Sequence, residues 1–272
     1  MFGFGKSKPV RITPFAEHKR RLGDLICDGV IAEQVADFAA LRAVVRDLQA
    51  KYPDARVLAT LDDAGQAVYT SGHAIEKHRL DDTEGHDLSR LGPECFEDGE
   101  HCGYLTTPIE IPIGLANLQA RAAQTTFADA AGLLGWEAAD DEGPATPDAV
   151  MREPDVALRT AAQPEFHFQF VPVSVAADAL AALPNGYFAC DLTPMQSYAV
   201  ARHLEQHHAM ALFGVGASFL GFIRDGVLTA NEAIALARDI VSLYGGAPGD
   251  AVHRLADALT GRDWLLLRYT EG

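Results

Sequence analysis

The sequence predicts a mixed α+β or α/β fold made of two αβ halves, the C-terminal half a β-α-β-α-β-α-α-β-like sandwich. Three observations carry this. Apolar residues recur at helical steps of three and four in several places. Phe166, Phe168 and Phe170 alternate with His167 and Gln169 at strand period. Short apolar runs in the second half are separated by helix-forming segments, as mixed sheets with helical connections require.

Taken in order, the first clear element is a helix over 35–52. Val35, Phe38, Leu41, Val45, Leu48 and Tyr52 make one stripe, and Pro53 ends it. "RVLATL" (56–61) and "QAVYT" (66–70) predict two strands around the Asp62-Asp63-Ala64-Gly65 turn. Ile109, Ile111 and Ile113 alternate as an edge strand, with Pro108 and Pro112 confining it to the edge. A helix is expected over about 115–134. Beyond the Phe166–Phe170 strand come a short helix near 177–183 and a short strand, "YFACDL". Thr193-Pro194 starts the next helix, with proline where the missing N–H costs nothing. "ALFGVG" and "SFLGFI" read as a buried hairpin with Gly214 and Gly216 as close-packing or bulge positions. Thr229 and Glu232 form a capping box for a helix that Gly245-Gly246 stops. A helix over 250–259 and the strand "WLLLRY" complete the chain. The expected division is 1–136 as an N-terminal αβ region with an acidic loop at 73–104, 137–164 as an acidic, proline-rich linker, and 165–272 as a C-terminal αβ domain.

Net charge is −16 over 272 residues, and it is clustered. From position 76 to 100 nine acids face three bases, and from 137 to 155 seven acids face Arg152 alone. The first 24 residues are basic instead. A strongly acidic body repels phosphate backbones and anionic lipid, so neither nucleic acid nor a membrane is an expected partner. No apolar run is long enough to span a bilayer or to follow the basic start as a secretory signal. Four scattered cysteines do not make a disulfide framework. A cytoplasmic location is expected. Oligomeric state is not legible.

Several motifs fail on spacing. Gly5-Lys6-Ser7 resembles the end of a phosphate loop, but Pro9 interrupts the helix that must follow, so the stretch reads as a mobile basic tail. Gly216-Ala217-Ser218 lacks the second glycine of a serine elbow, and Gly214-x-Gly216 meets Phe219 where a dinucleotide loop needs its third glycine.

Two constellations survive. Asp81, Asp82, Glu84, Asp87, Glu97, Asp98 and Glu100 form an acidic surface suited to a basic protein partner. His86, Cys95, His101 and Cys102 in the same loop, with His203 and His207 one helical turn apart, are donors for a divalent ion such as Zn²⁺, Mn²⁺ or Mg²⁺. A zinc protease is excluded: Glu205 stands two residues from both His203 and His207, on the opposite side of the helix. The remaining reading is a partly packed boundary pair, His207 and His208, flanking the apolar stripe of Val200, Leu204 and Ala211. The expected function is therefore an intracellular interaction protein that neutralises or adapts a cationic partner and needs no cofactor. The alternative is a metal-assisted enzyme built from the 73–102 loop and the His203/His207 face.

Overall fold

The computed structural model describes residues 9–18, 22, 23, 25–138 and 143–270. The 1–8 tail and Lys19-Arg20-Arg21 lie outside them. Seven strands form one mixed sheet: β1 (Arg11–Pro14), β2 (Gly29–Glu33), β3 (Arg56–Thr60), β7 (Glu165–Val171), β8 (Ala211–Val215), β9 (Phe219–Ile223) and β11 (Trp264–Arg268). Their order is β1-β2-β7-β3-β8-β9-β11, and only β3 and β8 run parallel. Strand β7 thus pairs on one side with Gly29–Glu33 and on the other with β3. Small pairs are β4 (Phe96–Glu97) with β5 (Glu100–His101), and β6 (Leu134–Gly135) with β10 (Tyr244–Gly245).

Among the described residues eight α-helices accompany the sheet: α1 (Phe38–Lys51), α2 (Ala64–His78), α3 (Ile111–Ala122), α4 (Pro147–Arg152), α5 (Pro154–Ala157), α6 (Pro194–His208), α7 (Ala230–Ser242) and α8 (Ala251–Leu259). Of the stripe foreseen for α1, Val35, Phe38, Leu41, Val45 and Leu48 are buried and Tyr52 is half-buried; Phe38 meets Trp264 edge-on at 4.7 Å and Phe213 at 6.5 Å. Most buried apolar side chains, from Phe15 to Tyr269, belong to one cluster. Val150, Met151 and Leu158, from the acidic 137–164 segment, are among them. The predicted hairpin is β8–β9, and its register shifts between Leu212 and Gly214, as a bulge requires.

Four elements differ from expectation. The helix expected over about 115–134 ends at Ala122 and is followed by a 3-10 turn at Phe127–Ala130 and by β6. Residues 66–70 lie in α2 rather than a strand. Asp63 caps that helix by accepting the Gln66 N–H at 3.0 Å, and Ala67, Val68, Thr70, Ser71 and Ala74 are buried at helical spacing. Residues 109–113 run from a 3-10 turn (Pro108–Glu110) into the start of α3. Pro108 and Pro112 fall in first turns, where no N–H is missed, behind a Thr107/Glu110 capping box. "YFACDL" forms turns, with Asp191 accepting the Phe188 N–H at 3.1 Å. The acidic segment is partly ordered by α2 and by the β4–β5 hairpin. The two central residues of that hairpin, Asp98 and Gly99, both have positive φ, as a tight primed turn demands. Among the described residues no helix is long and apolar enough to cross a membrane.

Candidate metal centre

Helices α6 and α7 each begin with a full capping box, Thr193/Gln196 and Thr229/Glu232. Such boxes satisfy first-turn N–H groups and fix where each helix starts, and hence which side chains meet further along. Near the end of α6, His203 Nε2 lies 2.6 Å and His208 Nε2 2.8 Å from the same oxygen, Oδ2 of Asp239 on α7. Among the described residues, these three form the one group of His, Cys, Asp or Glu whose donor atoms lie within ligating reach of each other, all within 4.8 Å.

The site is half-buried. His203 stacks on Phe127 with ring centroids 4.0 Å apart and planes 18° from parallel, which fixes the imidazole face. His208 is the more enclosed ring, with 9% of its side chain exposed against 34% for Asp239. Burial opposes charge on Asp239, but hydrogen bonds from and charge on the two histidines outweigh it and hold the carboxyl below its usual value. The site therefore keeps an anionic acceptor ready beside two imidazoles. A cleft of about 220 Å³ opens beside it, lined by Phe127, Tyr198, Arg202, His203 and Gln206 among others.

The other predicted donors go elsewhere. His207 is exposed, its ring 4.5 Å from that of His203, and its neighbour His208 reaches Asp239. His86 Nε2 lies 3.0 Å from Asn117 Oδ1, Cys95 Sγ lies 3.4 Å from Thr107 Oγ1, and Cys102 is half-buried. His101 Nε2 pairs at 2.8 Å with Glu110, a fully buried carboxylate that also accepts the Thr106 and Thr107 N–H groups at 2.8 Å each. Burial disfavours that charge, and the hydrogen bonds from Thr106, His101 and Thr107 still lower the Glu110 pKa. This pair holds the loop to α3. Glu205 turns away from the histidines, as its spacing predicts, and accepts the Ala176 and Ala177 N–H groups at 3.3 Å.

Of the acidic set, Asp82 pairs with Arg79 at 2.7 Å and, like Asp81, is half-buried. Glu84, Asp87, Glu97, Asp98 and Glu100 are exposed.

Sequence spacing picks out His203 but passes over His208 and Asp239. Histidines five apart stand about 140° apart round a helix, so no single ridge carries both. Asp239 has no local signal at all, since only the packing of α7 beside α6 brings it near. Comparison of the chain with protein-family models, curated proteins and solved structures yields no significant match. The functional reading therefore rests on geometry.

Proposed function

We propose that the protein binds a divalent transition-metal ion through His203, His208 and Asp239 and presents it to a small molecule entering the cleft beside His203. The observation that carries this is the convergence of three donors from two separate helices on one point. Two imidazoles and a carboxylate suit Zn²⁺ and neighbouring first-row ions better than Mg²⁺ or Ca²⁺. Three protein donors leave a coordination position for water or substrate, the arrangement of a reactive rather than a purely structural site. An ion held there would polarise a bound oxygen and lower the pKa of its water.

The donors need modest rearrangement. Ligands around a tetrahedral ion with bonds of ~2.0 Å stand about 3.3 Å apart. The present separations are 2.6 and 2.8 Å, so each imidazole has to draw back by roughly half an ångström. His208 is the last residue of α6, before Ala209 in a left-handed conformation, so its backbone is the least constrained of the three.

The test is a titration of chelator-stripped full-length protein with Co²⁺, followed by visible absorption, and with Zn²⁺, followed by the melting temperature. One equivalent is expected to bind, with affinity falling as the pH is lowered, because protons compete with the metal for its ligands. His208→Ala and Asp239→Asn are each expected to weaken it about 100-fold or more, while Cys190→Ser leaves it unchanged. A melting curve indifferent to Zn²⁺, Mn²⁺ and Co²⁺ would reduce the triad to a hydrogen-bonded clamp between α6 and α7 and remove the metal reading.

A second reading is favoured by the exposure of Glu84, Asp87, Glu97, Asp98 and Glu100, none of which has a basic partner within salt-bridge distance among the described residues. In this reading the surface meets a basic protein. Binding to such a partner would weaken steeply with salt and with Lys at 97, 98 and 100, and salt-independent binding would sink the idea.

A further inference from the structure

On a protein of net charge −16, three arginines line one cavity. The cavity has a volume of about 460 Å³ and is walled by the last turns of α1, the start of β3, the start of β8 and the end of β9. Arg46, Arg56 and Arg224 supply its cationic groups, and Asp225 is the single acid in the lining. Between them the wall is apolar, with Val45, Val57, Leu212, Phe213 and Ile223. A volume of this size is within the usual range for small-molecule sites, and few polar groups set in an apolar wall is their usual composition.

Each guanidinium is oriented by an existing contact that uses only part of its donor set. Arg46 donates one nitrogen to Asp263 at 2.6 Å, Arg56 is held on the Ser174 carbonyl with Nε at 2.7 Å, and Arg224 donates one nitrogen to Glu232 at 2.9 Å. Arg224 Nε is buried with no hydrogen-bond partner. Guanidinium carries five donors in a rigid fork, so all three side chains have N–H groups to spare, and Arg224 gains from turning its unpartnered edge to an incoming oxygen. A buried N–H left unmade costs free energy that an anionic oxygen would recover.

We propose that this cavity is a binding site for a small carboxylate with an apolar chain or ring, its carboxylate held among Arg46, Arg56 and Arg224 and its body packed on Val57, Leu212 and Phe213. A strongly hydrophilic polyanion would leave the apolar wall uncompensated, and a neutral apolar molecule would leave the arginine donors unpaired. This site is separate from the metal reading, and Ala209, the residue after His208, is its nearest lining residue in sequence to those donors.

The experiment titrates chelator-treated full-length protein, so that no metal ion can hold the carboxylate, with 8-anilinonaphthalene-1-sulfonate as a fluorescent anionic probe. Sodium octanoate and 1-octanol are the competitors. Octanoate is expected to displace the probe at least tenfold more effectively than octanol, and its calorimetric binding to show one site per chain. Arg56→Met and, separately, Arg46→Met are expected to weaken octanoate about fivefold or more, with Arg238→Met on the exposed side of α7 as an unchanged control. Arg46 is well exposed, so its replacement leaves a folded chain even if the Ser174 contact of Arg56 proves necessary for folding. Equal competition by octanol and octanoate overturns the proposal, as does octanoate binding that is indifferent to both arginine variants or absent altogether.

Discussion

At the carboxyl end of β3, Asp62 Oδ2 accepts the Ser218 N–H at 2.9 Å and its main-chain carbonyl accepts the Ala217 N–H at 3.0 Å. Oδ1 is buried with no hydrogen-bond partner, close against Gly216, where an added Cβ would fall 1.7 Å from it. That approach is why position 216 is glycine. Asp62 as a residue keeps some exposure, but its carboxyl oxygen does not, and burial pushes the pKa up to about 6. A carboxyl whose folded pKa lies above its unfolded value favours the folded state while protonated, and that contribution is lost as pH rises through the folded value. As pH rises from about 3 to about 7, wild-type stability is therefore expected to fall relative to Asp62→Asn, by up to about 3 kcal/mol. Urea melts of both proteins across that range measure it, and a difference that stays constant with pH would contradict the raised value.

Among the elements, α4 shows most clearly how charge is used inside this fold. Asp148, with 2% of its side chain exposed, is held by Arg254 at 3.0 Å, by Arg152 and by Thr146 at 2.8 Å. Burial works against the charge, but these partners still lower its pKa. The Met151 sulfur, on the same helix, receives the Leu266 N–H of β11 at 3.5 Å. Asp148 therefore fastens α4 to α8 while Met151 fastens it to the sheet. Asp148→Ala is expected to cost about 2–4 kcal/mol, because a buried acceptor with several charged donors is removed. Hydrogen exchange should rise first in 147–152 and at the start of α8. Uniform loss of protection across the sheet would show that the contact is not local. The element scale is also where reading the sequence fails in an informative way. For 66–70 a short alternation is compatible with either period, and the Asp63 cap decides for helix. For 109–113 the prolines that argue for an edge strand are equally at home in a helix's first turn.

For the whole molecule, a net charge of −16 implies self-repulsion that the compact state concentrates. Raising NaCl from about 0.02 to 0.2 M shortens the Debye length to under about 10 Å, and the melting temperature is expected to rise. Thermal melts at fixed pH measure this. A melting temperature that falls with salt would mean that exposed pairs such as Arg11–Glu33 and Arg79–Asp82 outweigh the repulsion.

By itself the sequence determined what depends on near neighbours. The buried stripe of α1, the Phe166–Phe170 strand, the β8–β9 hairpin with its bulge, the helix start at Thr193-Pro194, the capping box at Thr229, and the failure of the protease pattern at Glu205 are all written within a few residues. Periodicity and capping are short-range physics, so they survive without a structure. Only the tertiary structure decided that β7 lies between β2 and β3, that His203 and His208 share an oxygen of Asp239, and that Arg46, Arg56 and Arg224 face one cavity. Asp239 stands 31 positions beyond His208 and Arg224 stands 178 beyond Arg46, and their meeting follows from strand order and helix packing, which no local pattern encodes.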